Sequence, residues 1–120
     1  TSGMVRDMTA NKDAMRAALT TGFPTATDLA DYMVRELGLP FREAHHASGS
    51  IVALAAEKGC DLDALSLAEM QAVEPRIKAD IMGILTVESA VAARTSFGGT
   101  APVEVKARIA DARSRFSIKR

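Results

Sequence analysis

His45 and His46 are the residues most suited to metal chemistry, since neutral imidazole is a common metal ligand. They lie side by side in Glu43-Ala44-His45-His46, which contains one Glu-x-x-His spacing. Neighbouring residues of a helix point about 100° apart, so these two cannot easily share an ion. A di-iron bundle uses two such motifs and further carboxylates, and the sequence offers no second motif. We therefore predict a packed or hydrogen-bonded His45, a half-exposed His46 and no metal site.

Cys60 is the chain's single cysteine. A nucleophilic thiolate needs a nearby base or a positive field. Asp61 follows Cys60 directly and opposes thiolate formation, and Lys58 is the only close basic residue. We predict an inert thiol. Because one cysteine cannot form an internal disulfide, a reducing cytoplasm is the expected location.

Gly98-Gly99-Thr100 precedes a predicted helix, and a turn in that position can bind an anion. The stretch lacks the Gly-x-x-x-x-Gly-Lys pattern of a phosphate-binding loop. We interpret it as a tight turn in which glycine supplies a positive φ.

Basic residues concentrate at the end of the chain, where they are Lys106, Arg108, Arg113, Arg115, Lys119 and Arg120. Glu104 and Asp111 partly offset them. The cluster suits an acidic partner or nucleic acid, but cations near a helix C-terminus more often complement the helix dipole. Fifteen basic and fifteen acidic residues leave no net charge, and nucleic-acid binding draws on an excess of cations. Between Phe41 and Glu57 the only cation is Arg42, so a DNA-binding helix-turn-helix is rejected and no nucleic-acid partner is predicted.

The composition favours a soluble helical domain with an aliphatic core. Hydrophobic residues make up 48% of the chain and aromatics 4%, with no Trp. No apolar run approaches the roughly 20 residues of a membrane helix, and none follows a basic start as in a signal peptide. We predict neither a membrane role nor a cleaved leader.

The first helical stretch runs from about Gly3 to Leu19, although Asn11 could instead cap a second helix. Met4, Met8 and Met15 lie on one face of it. The chain starts with Thr1 rather than Met, as if a long helix were entered partway along. We therefore predict that the natural protein extends further N-terminally, and that residues 1–24 are the end of a central-bundle helix and a connector. The exposed methionines would let the isolated fragment self-associate.

The second helix is the clearest, with Thr25 or Thr27 as its cap and Gly38 in the αL position after it. Its predicted buried stripe consists of Ala26, Leu29, Ala30, Met33, Val34 and Leu37, and its wet face of Asp28, Asp31, Arg35 and Glu36. The next helix starts near Pro40 and ends at Gly59. Its predicted inward face consists of Phe41, Ala44, His45, Ser48, Ile51, Val52 and Ala55. Gly49 lies in the middle of this helix, where glycine is less stable than alanine by about 1 kcal/mol. A close crossing with another helix is the simplest feature that would compensate for this cost.

Ser66 and Glu69 have the spacing of a capping box, and Pro75 interrupts the short helix that follows. Beyond it an apolar stripe continues through Ile77, Ile81, Ile84 and Leu85. Thr86 is placed to start a helix that ends at Arg94. Ala101 and Pro102 open a last helix whose predicted inward residues are Val105, Ile109, Ala112 and Phe116. Since no segment alternates strictly over strand length, we predict an all-α domain of about six helices over residues 25–120.

Three stretches together resemble one family. They are 25–32 (TATDLADY), 38–46 (GLPFREAHH) and 92–102 (AARTSFGGTAP), with 65–71 (LSLAEMQ) between them. In this order and separation they are similar to the C-terminal region of argininosuccinate lyase, a member of the fumarase/aspartase superfamily. The likeness spans almost the whole chain but only a minority of the parent enzyme. Ala47 and Ser48 stand where many members carry aliphatic residues, and residues 117–120 have no firm match.

The resemblance implies a C–N lyase that splits argininosuccinate into arginine and fumarate by β-elimination, the last step of arginine biosynthesis. It implies a cytoplasmic homotetramer with a central helical bundle, active sites assembled from several subunits, and no metal or organic cofactor. The family's Gly-Ser-Ser-x-Met-Pro-x-Lys-x-Asn-Pro loop, which carries the proposed catalytic serine, is absent from these residues. The family's catalytic histidine belongs to an earlier motif, so that role passes neither to His45 nor to His46. We assign no catalytic, cofactor-binding or metal residue and expect the fragment alone to be inactive.

Fold likeness does not by itself establish turnover, since lens crystallins share this fold and some lack activity. A stand-alone helical interaction module, gripping a partner helix through the methionine stripe, remains the alternative. A metal-binding helical bundle is a weaker third hypothesis.

Overall fold

The protein consists of α-helices joined by short turns. The structure is a computed structural model that describes residues 1–19 and 22–116. Within these residues there are seven α-helices and no β-strand, so the predicted all-α class is confirmed. The helices are α1 (Ser2–Arg6), α2 (Lys12–Leu19), α3 (Ala26–Arg35), α4 (Phe41–Lys58), α5 (Leu67–Val73), α6 (Val87–Ala92) and α7 (Pro102–Arg115). Two 3₁₀ turns, Leu62–Ala64 and Ala79–Gly83, flank α5.

The core begins where α3 packs on α4. Leu29 and Met33 of α3 are fully buried, as are Ala44, Ile51 and Ala55 of α4. The alanines leave room for the two long side chains, so the helices approach closely. The α3 stripe predicted from a 3.6-residue period is therefore the face on which the domain is built.

The second half of the chain closes this core from the other side with single apolar side chains rather than long helices. These side chains are Leu62, Leu65, Met70, Ile77, Ile81 and Leu85. Ser66 caps α5 with the predicted capping box. After Pro75, however, the apolar stripe continues in a 3₁₀ turn and not in an α-helix.

Turn chemistry was well predicted along the middle of the chain. Gly38 and Gly59 adopt left-handed φ angles of +68° and +65°. Thr25 occupies the N-cap position of α3, although its side chain makes no capping hydrogen bond. The Thr86 hydroxyl accepts a hydrogen bond from Ser89 N at 3.2 Å and so starts α6, which ends at Ala92, two residues before Arg94.

The first predicted helix is interrupted, because α1 ends at Arg6 and α2 begins at Lys12. Asn11 Oδ1 accepts a hydrogen bond from Ala14 N at 3.0 Å, which satisfies an amide at the start of α2. The alternative in which Asn11 caps a second helix is therefore right, and one continuous helix over 3–19 is wrong.

Two predicted inward faces are partly wrong. On α4, Phe41 is 67% exposed and His45 is also exposed. His45 lies about 100° around the helix from the buried Ala44, so it borders the α3 contact without entering it. On α7, Val105, Ile109 and Phe116 are 42%, 46% and 67% exposed, and no residue of that helix is buried.

The terminal helices extend away from the core. The Cα radius of gyration is 18.3 Å, whereas a compact domain of this length has about 14 Å. Neither α1 nor α2 contains a buried residue. An ion pair between Arg16 of α2 and Glu88 of α6, at 2.9 Å, connects this end to the rest of the domain, and both of its side chains are exposed.

Gly49 shows no close helix crossing, contrary to the prediction. It is exposed, and a Cβ built on it would meet no atom within 4 Å. The glycine therefore lowers the stability of α4 without a packing benefit that the described residues reveal.

Gly49→Ala should stabilise the chain by about 1 kcal/mol, because alanine has the higher helix propensity and the site is open. Urea unfolding followed by circular dichroism measures this. Ala53→Gly, at another exposed position of α4, is the matched control and should cost a similar amount. If Gly49→Ala destabilised the chain, a neighbouring group would have to lie too close to residue 49 to leave room for a Cβ.

Candidate functional site

A cleft of about 470 Å³, lined by both polar and apolar residues, lies between α3 and the segment after α6. Asp28 and Tyr32 line it from successive turns of α3, and Arg94, Thr95 and Ser96 line it from the other side. It is the part of the described chain where a buried carboxylate, a buried phenol and a guanidinium come together. We therefore treat it as the candidate functional site.

The Asp28–Arg94 ion pair organises the cleft. Arg94 Nη2 donates a hydrogen bond to Asp28 Oδ1 at 3.0 Å, with the Asp28 side chain 9% exposed and that of Arg94 47% exposed. Asp28 was predicted on the wet face of its helix, and that prediction is wrong. Sequence reasoning missed the pair because 66 residues separate its members, and an aspartate in a first helical turn already has a local role at the dipole.

Tyr32 fixes the neighbouring 3₁₀ turn through its hydroxyl. The hydroxyl donates to Asp80 Oδ1 at 2.6 Å and accepts from Lys78 N at 3.4 Å. Burial raises the pKa of Tyr32 above its ordinary value, and the hydrogen bond to Asp80 raises it further. The phenol therefore stays protonated at neutral pH and acts as a hydrogen-bond donor, not as a general base.

The loop after Arg94 is folded on itself. Ala101 N donates to the Arg94 carbonyl at 3.1 Å, and Gly99 N donates to the Ser96 carbonyl at 2.8 Å. Gly98 has φ +78°, as predicted for the turn. At Gly99 a Cβ would clash with the Arg94 carbonyl oxygen, so that position requires glycine for space. Because both amides are used inside the loop, they are not available to bind an anion.

A second groove, of about 520 Å³, lies on the surface between α4 and the end of α5. Arg42, His46 and Ser50 line it from α4, opposite Glu74 and Arg76. Arg76 donates to both carboxylate oxygens of Glu74, at 2.7 and 3.0 Å, and these hydrogen bonds lower the pKa of Glu74. Besides this ion pair, Arg42 and Glu43 of α4 line the groove, so it carries charges of both signs.

His45 and His46 face different surroundings. His46 lines the second groove, whereas the His45 ring lies 6.0 Å from that of Phe41, centroid to centroid. His46 was predicted to be half exposed, and both imidazoles are exposed. Across residues 1–19 and 22–116, no three His, Cys, Asp or Glu side chains lie close enough together to hold a metal ion.

Cys60 is partly buried at the end of α4. Its backbone N donates to the Ala55 carbonyl at 3.1 Å. Asp61 lines the same surface cavity as Cys60.

Hydrogen bonds stabilise the start of α5, and an ion pair joins it to the end of α4. Glu69 accepts from Ser66 N at 2.7 Å and from the Ser66 hydroxyl at 2.6 Å, and it forms an ion pair with Lys58 of α4. The hydrogen bond from Lys58 and those from Ser66 lower the pKa of Glu69 to about 2. Glu69 is therefore a carboxylate at neutral pH that joins α5 to α4.

Taken together, these hydrogen bonds and ion pairs stabilise the fold. Among the residues that the structure describes, no buried side-chain nitrogen or oxygen lacks a hydrogen-bond partner. No helix of the described residues has the length and apolar character needed to cross a membrane.

Comparison of the sequence with models of known families gives a match. Residues 23–92 match the model of a family described as argininosuccinate lyase C-terminal. The chain belongs to that family. The predicted resemblance is therefore confirmed, and the match covers more than half of the 120 residues.

The matched region of this argininosuccinate lyase C-terminal domain coincides with its packed part. It contains α3 to α6, hence Asp28, Tyr32 and Asp80, and stops two residues before Arg94. The cleft therefore joins the family region to the segment that leads into α7.

Removing Arg94 should cost more stability than neutralising Asp28. Arg94→Met leaves a buried carboxylate without its partner, at a cost of about 2 kcal/mol after allowance for the half-exposed guanidinium. Asp28→Asn leaves Arg94 in contact with water and should cost about 1 kcal/mol or less. Urea unfolding of both variants checks the order.

The matched control for this pair is Arg35→Met. Arg35 pairs with Asp31 at 3.1 Å, and their side chains are 71% and 40% exposed, so its loss should cost no more than about 0.5 kcal/mol. Equal effects at Arg94 and Arg35 would contradict the structural weight given to the Asp28–Arg94 pair.

Acid should remove the stabilisation that Glu69 provides. Because the folded-state pKa lies near 2 and the ordinary value is 4.5, the contribution is complete above about 4.5 and disappears as the pH falls to 2. A ¹³C NMR titration of the Glu69 carboxyl should give the low value directly. Lys58→Met should move the titration upward, because the Lys58 hydrogen bond is the largest cause, and an unmoved titration would refute this assignment.

Proposed function

We propose that this chain is the C-terminal domain of an argininosuccinate lyase, the enzyme that cleaves argininosuccinate to arginine and fumarate by β-elimination in arginine biosynthesis. Its role in that enzyme is structural. It packs on the end of the central bundle and supports active sites whose proton-transfer groups lie elsewhere in a cytoplasmic homotetramer. The match of residues 23–92 to the family is the observation that carries the proposal.

The chemistry of the domain's polar groups supports a scaffold role. A β-elimination requires a base that removes a proton and an acid or electrostatic group that assists the leaving nitrogen. Here Arg94 is committed to Asp28, Arg76 to Glu74 and Lys58 to Glu69. Each pair links two parts of the fold or closes a turn, so each has a structural reason to exist.

The exposed methionines support the assignment of a partner. Met4, Met8 and Met15 are 80%, 77% and 63% exposed. Several large apolar side chains exposed within one short segment favour an interaction with a partner. In the parent enzyme the rest of the lyase chain and its tetramer partners would cover them. In the isolated chain the same residues favour self-association.

A second candidate function rests on the same surface. The methionine stripe of a stand-alone interaction module would bind a helix of another protein, using the adaptability of methionine side chains. An interaction module needs no upstream lyase sequence, whereas the C-terminal domain of a lyase does. The presence or absence of that upstream sequence therefore distinguishes the two hypotheses.

The chain by itself should release no fumarate from argininosuccinate, measured by the ultraviolet absorbance of fumarate. Mixed with a lyase that lacks this C-terminal segment, it should restore turnover, because the missing scaffold is then supplied in trans. Met8→Asp should weaken that restoration, since it places a charge in the apolar stripe, whereas Thr9→Asp, its exposed neighbour, should not. Turnover by the chain alone would refute the scaffold role, and a folded chain that restores nothing would favour the interaction module.

A further inference from the structure

The exposed apolar side chains of α7 recur at heptad spacing. Val105, Ile109, Ala112 and Phe116 are separated by four, three and four residues, which places them at successive d, a, d and a positions. Val105, Ile109 and Phe116 are largely solvent-exposed, and Ala112 is partly covered. The helix thus presents a narrow apolar seam that no described part of the chain buries.

Cations occupy every flanking position of this seam. With Val105 at d, Lys106 and Arg113 fall at e, and Arg108 and Arg115 fall at g. The acidic residues of the helix, Glu104 and Asp111, both fall at c, away from the seam. Charge on α7 is therefore sorted, with positive groups along both borders and negative groups on the far side.

Arg108 is held beside the seam by an aromatic ring. Its guanidinium carbon lies 4.9 Å from the centroid of the Phe97 ring, within the range of a cation–π contact. Phe97 is itself exposed, so its ring adds apolar surface beside Arg108, on the g side of the seam. The turn that carries Phe97 is the tightly folded loop after Arg94.

The charge pattern excludes a second copy of α7 as the occupant. In a parallel pair the e positions of one helix meet the g positions of the other, and in an antiparallel pair e meets e and g meets g. Either arrangement would bring cations against cations at every flank, which opposes pairing. The occupant must instead carry the opposite charge.

The apolar seam distinguishes a protein helix from the other anionic partners. A nucleic acid would engage the cations but leave Ile109 and Phe116 in water. A helix lying in a membrane surface needs a broad apolar face rich in Leu, Trp or Phe. The seam instead consists of Val, Ile, Ala and one Phe at a and d positions, with Val103 exposed apart from it at b. Such a stripe is the geometry of helix–helix pairing.

We propose that α7 is a docking helix for an α-helix of another protein that has apolar residues at a and d and Asp or Glu at e and g. The apolar seams pack together, and the flanking carboxylates pair with Lys106, Arg108, Arg113 and Arg115. The apolar contact supplies the affinity, and the charges select the partner and its register. This docking is independent of the lyase assignment, since it uses neither the cleft nor the methionine stripe.

Two synthetic helical peptides of about three heptads test the proposal, each with Leu at a and d. One carries Glu at every e and g position and the other carries Lys. Fluorescence anisotropy with the whole chain should show that the Glu peptide binds at least about tenfold more tightly than the Lys peptide. Salt should weaken the Glu complex, because the flanking pairs are exposed.

Charge reversal provides a gain-of-function readout. The combined substitutions Lys106→Glu, Arg108→Glu, Arg113→Glu and Arg115→Glu should reverse the preference, so that the Lys peptide binds and the Glu peptide does not. The matched control, Ala107→Glu with Ser114→Glu, adds acid at two f positions away from the seam and should keep the original preference. If the fourfold variant loses its helical circular dichroism, the milder Lys106→Glu with Arg108→Glu should still weaken the Glu peptide about threefold.

Four results would overturn the proposal. They are equal binding of both peptides, no binding by the folded chain, binding of phosphatidylserine vesicles without a preference between the peptides, and self-association that Ile109→Asp abolishes. The last would make a second copy the occupant, despite the repulsion between the flanking cations.

Discussion

The contact between α3 and α4 is the interaction on which the rest of the domain depends. Leu29 and Met33 are completely buried against a face of α4 that includes Ala44 and Ile51. Each such long side chain contributes about 1.5–3 kcal/mol when it leaves water. The later elements each insert single apolar side chains into this contact, and none of them has an extended buried face of its own. Loss of the α3 stripe would therefore remove part of the buried cluster to which Met70, Ile77 and Ile81 also belong.

Polar contacts fix how the later segments lie on this core, and three of them originate on α3. Ser48 of α4 donates its hydroxyl to the Ala26 carbonyl at 2.8 Å. Two residues further along, Asp28 holds Arg94, and one turn beyond Asp28, Tyr32 holds the 3₁₀ turn at Asp80. Burial makes such groups costly unless they are paired. The same pairing that stabilises the fold thus selects one arrangement of the chain around α3.

Outside this core, the surfaces of the domain are suited to association more than to chemistry. Exposed apolar side chains occur at both ends of the sequence: Met4, Met8 and Met15 lie on and between α1 and α2, and the heptad seam lies on α7. The two differ in character, since one is built from flexible methionines and the other is a narrow seam bordered by cations.

The sequence by itself determined the local structure and the family. Helix periodicity located α3, capping chemistry located the starts of α5 and α6, and glycine located the ends of α3 and α4, because each of these signals acts within a few residues. Tertiary structure alone decided which faces are covered. Asp28 is buried because Arg94 reaches it from a distant segment, and Phe41 and Ile109 are exposed because no described element lies over them. Gly49 and Gly99 illustrate the same division: both are glycines in a sequence, but only the surrounding atoms show that Gly49 has room for a side chain and that Gly99 does not.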